Sequence, residues 1–197
     1  MAALGCLSAV VMAAGVLESS VDATGTIQGQ VRCRAVRDCA GAVVYVESVP
    51  GQTFAPGPDV VIDQVGLTFI PHVLPIVKGT TVAFPNSDEV RHNVFSASAA
   101  KRFNLGTYSK GVIRHMVFDT SGVVELLCNV HAEMSAYVVV TDTPYFALTD
   151  PSGTYVLENV PVGTFPVVAW REELKEHVQQ VTVLDGEAVV MNFDLQR

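Results

Sequence analysis

The chain has 197 residues, with 12 Lys or Arg against 20 Asp or Glu and a formal net charge of −8, an acidic balance that argues against nucleic acid as a partner. Charged residues make up only 16% while 49% are hydrophobic and Val-heavy, which fits one or two well-cored domains rich in strands. From the start, MAALGCLSAVVMAAGVL carries no charge, is shorter than the roughly 20 apolar residues of a membrane-spanning helix, and leads to a small-residue site at Val21-Asp22-Ala23. Residues 1–23 therefore read as a secretory signal, which places the remainder in the periplasm. No Lys or Arg precedes the apolar run, so an uncleaved anchor, or a lipid tether at Cys6 with further apolar residues upstream, stays open. No later apolar run approaches spanning length.

After the signal come short segments that alternate or run β-branched, punctuated by Gly, Pro, Asp and Ser. GTIQGQVRC and GAVVYVES come first; VLPIVKGTTVAFPN, HNVFSAS, GVIRHMVFD, GVVELLCNV and SAYVVVTD follow. Several strands at this spacing predict an all-β fold built as a sandwich or barrel. Two brief helical candidates stand out, SASAAKRF and REELKEHV, the second equally readable as a charged hairpin tip.

Of the four cysteines, Cys6 leaves with the signal. Cys33 and Cys39 lie close enough in VRCRAVRDCAG for a disulfide in an oxidising compartment, whereas a metal site there would lack a nearby His. Cys128 is then the odd one. In GVVELLCNV the period of two puts Val124, Leu126 and Cys128 on one inward face, so the thiol sits at a strand end. His131 and Met134 follow on a tight loop, and DEVRHNVFS supplies His92 at the head of another strand. Two imidazoles, a thiolate and a thioether form the donor set of a blue-copper centre, because soft sulfur suits Cu(I) and imidazole suits Cu(II). A geometry tolerable to both states lets an electron arrive with little movement. Taken singly, Cys128 reads as an inert core thiol and Met134 as core filler, and Glu133 competes as an axial oxygen.

With these residues the block from Phe69 to Thr141, including GTTVAFPNSD, HNVFS and CNVHAEM, resembles the cupredoxins. Its C-x2-H-x2-M spacing is that of the amicyanin group, and the wider chain looks like the plastocyanin-like proteins labelled methylamine-utilisation proteins. The resemblance implies a Greek-key β-sandwich with one type 1 copper ion. It makes His92, Cys128 and His131 equatorial ligands and Met134 the axial one, has Asn93 hydrogen-bond across to the cysteine loop, and makes His131 the electron port. Two departures stand out: Asn129 replaces the usual Ser or Thr after the cysteine, and Ala132-Glu133 replaces a loop richer in Pro and Phe, which puts the family's apolar docking patch in doubt.

Past Thr143-Pro144, the stretch FALTDPSGTYVLENVPVGTFPVVAW resembles the second half of the carboxypeptidase regulatory-like (transthyretin-like) module, and IQGQVRCRAVRDCAGAVVYV, residues 27–46, resembles its first half. The resemblance implies that residues 24–52 fold with 144–197 as a small transthyretin-like β-sandwich and that residues 53–143 form a cupredoxin domain inserted between them, GQTFAPGPD being the exit linker. Two domains in series is the alternative.

His72 and His115 have no Cys, Asp or His at ligand spacing and read as structural or surface residues, and His177 in its charged run reads as solvated. Lys101, Arg102, Lys110 and Arg114 offer a basic docking face or ordinary solubilising charge. Related copper enzymes add catalytic copper on further histidines. Here there are five in all, with no His-x-His pair and no H-E-x-x-H or G-x-S-x-G motif, so an enzyme is not expected. The expected function is single-electron transfer between redox protein partners, such as a c-type cytochrome or a dehydrogenase. The alternative is a copper carrier or a structural partner-binding module.

Overall fold

The structure, a computed structural model, describes residues 23–34 and 36–197; apart from Ala23, the expected signal lies outside the described residues. The fold is all β. In chain order the strands are β1 (Thr24–Cys33), β2 (Val43–Val46), β3 (Val60–Val61), β4 (Asp63–Val65), β5 (Thr68–Ile70), β6 (Val73–Val77), β7 (Thr81–Pro85), β8 (His92–Ser96) and β9 (Phe103–Tyr108). There follow β10 (Ile113–Val117), β11 (Gly122–Leu127), β12 (Ser135–Thr141), β13 (Phe146–Leu148), β14 (Thr154–Pro161), β15 (Gly163–Trp170), β16 (His177–Val183), β17 (Ala188–Val190) and β18 (Phe193–Leu195). Neither helical candidate forms a helix: SASAAKRF is a connection between β8 and β9, and REELKEHV makes the turn from β15 into β16. Pairing between the flanking strands overrides the weak local propensity of both stretches.

Two pairs of sheets result. One pair joins chain ends far apart in sequence: β1 pairs antiparallel with β14 and parallel with β17 and β18, while the facing sheet runs β13-β2-β15-β16. Ile27, Val31, Val44, Val46, Leu157, Val167 and Phe193 fill the space between them, the alternate residues of each strand pointing inward. The disulfide Cys33–Cys39 closes the loop after β1 beside this core. In the DPSG turn Gly153 takes φ 83°, and an added Cβ would sit 2.1 Å from the Val31 carbonyl oxygen, so the turn can approach β1 only without a side chain.

The other pair is built from the middle of the chain. A five-stranded sheet of order β6-β12-β11-β8-β9 faces β10-β7-β3, with the β4–β5 hairpin at one end. Phe84, Val94, Phe118, Val124, Leu126 and Val138 form its core, and Cys128 and Met134 belong to the same cluster. A third, smaller cluster lies between the two pairs: Val73 and Val139 from the five-stranded sheet meet Val43 and Trp170 from β2 and β15, with Tyr45, Val123 and Tyr137 around them. Strand β12 is thus covered on both faces, Ala136, Val138 and Val140 by one core and Tyr137 and Val139 by the other. That is why SAYVVVT reads as a nearly unbroken apolar run instead of alternating.

Candidate metal centre

Residues far apart in the chain meet at the end of the five-stranded sheet. His92 opens β8 and is fully buried, Cys128 follows the last residue of β11 and is 4% exposed, and His131 lies on the loop beyond it, partly open to solvent. One ligand atom from each of the three, two ring nitrogens and Sγ, lies within 4.8 Å of the others. The imidazoles meet through their Nδ1 atoms, 3.0 Å apart, with ring centroids 4.8 Å apart and planes inclined by 64°. That spacing lets both nitrogens reach one ion at ordinary metal–nitrogen distances of about 2.0–2.1 Å. Cys128 is the free cysteine among the described residues. Met134 is 1% exposed and buried in the same cluster as Cys128, and its N–H donates to the His131 carbonyl at 3.1 Å, closing the loop as a turn.

His92 is held from behind. Its Nε2 lies 2.8 Å from Asp88 Oδ2, and a carboxylate only accepts, so the ring proton sits on Nε2 and the Nδ1 lone pair faces the centre. Asp88 is itself fixed: its carboxylate accepts the main-chain N–H of Gly66 at 2.6 Å and of Leu67 at 2.9 Å, both at the tip of the β4–β5 hairpin. Burial pushes the Asp88 carboxyl up, but the Leu67 and Gly66 N–H groups and the His92 ring outweigh it and hold the carboxyl below the usual range. Asn86 shapes the intervening loop. It is buried, its Nδ2 donates to the Val90 and Tyr108 carbonyls, and its Oδ1 accepts the Asp88 N–H. A carboxylate behind a ligating imidazole fixes its tautomer and raises its basicity, so this donor set fits a bound metal ion.

Asn93 departs from expectation. Its Nδ2 donates to Asn104 Oδ1 on β9 at 2.8 Å instead of reaching the cysteine loop, and its buried Oδ1 has no partner. Asn129, the residue after the cysteine, is exposed.

The remaining candidates lie elsewhere. His72 pairs with Glu172 at 2.7 Å, His177 packs edge-on against Phe193, and His115 is exposed on β10. Lys101 pairs with Asp119, Lys110 with Glu89, and Arg114 lies over the Tyr108 ring, so three of the four basic residues are engaged within the molecule. Val90 and Val130, beside the ligand positions in sequence, are exposed.

Sequence reasoning missed Asp88, whose signal is a carboxylate four positions before the histidine of an HN pair.

A search of curated protein sequences finds no match. Among solved structures, a Cu-containing nitrite reductase from Thermus scotoductus SA-01 is similar at 26% identity and a TM-score of 0.42 over 50% of this chain, which spans only 25% of that enzyme's length. A purple cupredoxin from Nitrosopumilus maritimus is similar at 27% identity and a TM-score of 0.37, covering 43% of this chain and 100% of that one. A variant of amicyanin in its Cu(I) form is similar at 19% identity and a TM-score of 0.40, covering 47% and 96%. A family model, the carboxypeptidase regulatory-like domain, matches residues 130–196, beginning inside the ligand loop and so including β12, which pairs within the five-stranded sheet. The chain is therefore an all-β, two-part sandwich that is similar to cupredoxins of known structure and matches a carboxypeptidase regulatory-like domain in its C-terminal third.

Proposed function

We propose that this chain is a periplasmic type 1 copper protein that carries single electrons between redox protein partners. His92, Cys128 and His131 hold the ion and Met134 caps it. The observation that carries the reading is the convergence of two imidazole nitrogens and a buried thiol within 4.8 Å, with one imidazole aimed by a carboxylate behind it. When bound, copper supplies a one-electron couple between Cu(I) and Cu(II) that a mixed nitrogen and sulfur donor set serves in both states. Asp88 fixes His92, the Met134-to-His131 turn fixes the loop, and the buried Cys128 is shielded from stray oxidation. His131, partly open to solvent, serves as the port. Catalysis would need further open metal positions, and His72, His115 and His177 are placed elsewhere.

The same reading assigns residues 24–52 with 144–197 to a transthyretin-like module and 53–143 to a cupredoxin domain inserted in it. It is supported by the two separate cores, one drawn from both chain ends and one from the middle. The Cys33–Cys39 disulfide supports an oxidising compartment.

The test is to add Cu(II) to purified protein. Intense visible absorption from thiolate-to-metal charge transfer, lost in Cys128→Ser and bleached reversibly by a mild reductant, is the expected result. A colourless complex, or one that gives its metal quickly to a weak chelator, would replace electron transfer with copper carriage.

A further inference from the structure

The ligand loop ends at Met134, and just beyond it Ser135 and Tyr137 are tied to the other sandwich, Ser135 through His72 and Tyr137 by direct ring contact. Ser135 has its carbonyl oxygen 3.1 Å from Nδ1 of His72, and Nε2 of the same ring lies 2.7 Å from Oε2 of Glu172, in the turn after β15. The His72 carbonyl accepts the Tyr137 N–H at 2.8 Å, and the His72 ring stands edge-on to the Tyr137 ring at 5.6 Å. Tyr137 in turn packs on Trp170 at 5.4 Å, two residues before Glu172. One short piece of the transthyretin-like part, Trp170 to Glu172, thus reaches the backbone directly after Met134 by two routes, a polar one through His72 and an aromatic one through Tyr137. A cleft of about 350 Å³ runs alongside, lined by Ile70, His72, Glu133, Met134 and Ser135, so the loop has room to shift if this grip is lost.

We propose that His72 and Glu172 form a clamp across the two sandwiches whose work is to position Met134 at the metal centre. The transthyretin-like part is then a brace for the ligand loop and not only a handle for partners. His72 and Glu172 are positioning residues: neither touches the ion, and each acts through Ser135. The polar route sets the height of the loop exit, and the Tyr137–Trp170 contact keeps β12 seated while it does so. The proposal rests on the copper reading of the site.

The test uses the full chain loaded with copper and reads the rate of metal release to a chelator, the reduction potential and the visible spectrum. Trp170, the single tryptophan, reports by its emission that the two sandwiches remain docked. Glu172→Ala should release copper about three- to tenfold faster, below the ten- to hundredfold typical of a group bonded directly to a ligand, with a shifted potential and unchanged Trp170 emission. Glu172→Gln keeps an acceptor for the His72 ring and should restore wild-type values. Glu173→Gln, at a neighbouring exposed residue that pairs with Arg197, should leave all readouts unchanged. A coloured, cycling Glu172→Ala protein with wild-type release and potential overturns the clamp while leaving the copper reading intact. A wild-type chain that takes up no copper overturns both.

Discussion

Asp88 stands 2.8 Å from His92 and is the only link between that buried imidazole and the tip of the β4–β5 hairpin shown by hydrogen bonding among the described residues. The ring cannot rotate without breaking a charge-assisted bond, and the carboxylate cannot leave without stranding two main-chain donors. Removing the carboxylate should lower the basicity of His92, which weakens the hold on Cu(II) more than on Cu(I). Asp88→Ala is expected to lose about ten- to a hundredfold in copper affinity and to raise the reduction potential by tens of millivolts, about 59 mV for each tenfold bias toward Cu(I). Voltammetry and competition with a chelator check both.

The same carboxyl has a pH signature. Its folded pKa is depressed relative to the unfolded value of about 3.9. The stability it contributes is fully present above that unfolded value and is lost as pH falls through the lower folded one. Between neutral pH and about 5 the contribution of Asp88 should therefore be fully present and independent of pH. Below about pH 4 the wild type should lose stability more steeply than Asp88→Asn, measured by denaturant unfolding at stepped pH.

Met134 separates the thioether reading from an oxygen donor at Glu133. Met134→Leu conserves volume in a fully packed position, so the fold should lose less than about 1.5 kcal/mol. Absorption from the Cys128 thiolate should persist while the potential rises, because an apolar axial position disfavours Cu(II). An unchanged potential would remove Met134 from the ligand set.

The disulfide is predicted to act on stability alone. Replacing both Cys33 and Cys39 by Ser opens a loop whose ends lie six positions apart, at a cost of about 2 kcal/mol in the chain-entropy description. The copper spectrum should not change, since the bridge borders the core made from the chain ends and the ligands lie in the other. Urea unfolding with and without reductant gives the first quantity and absorption the second.

Much of this was written in the sequence because the relevant signals are local. The period of two in GVVELLC turned Cys128 inward, the three- and six-residue spacings put His131 and Met134 on one tight loop, and the Cys33–Cys39 spacing pointed to the bridge. What escaped depends on partners far along the chain or on elements too short to show a period. Strands β4 and β5 have three residues each, so the hairpin that holds Asp88 left no alternation to read. Asp88 in NSDEV looked like ordinary turn polarity. His72 read as a structural or surface residue because Glu172 is 100 positions away. The Asn93 side chain was misjudged because its bond depends on Asn104, which only the pairing of β8 with β9 brings alongside.

The passage from β12 toward β13 carries a last consequence. Thr141 and Thr143 are both buried; the Thr141 hydroxyl bonds the carbonyls of Ile76 and Thr143, and the Thr143 hydroxyl donates to Val46. A crossing stitched in this way is a weld and not a hinge. If the proposed electron transfer holds, a protein docking on the half built from the chain termini would meet the histidine at position 131 on a fixed bearing and range, so the reach of an electron hop would be decided before the complex forms.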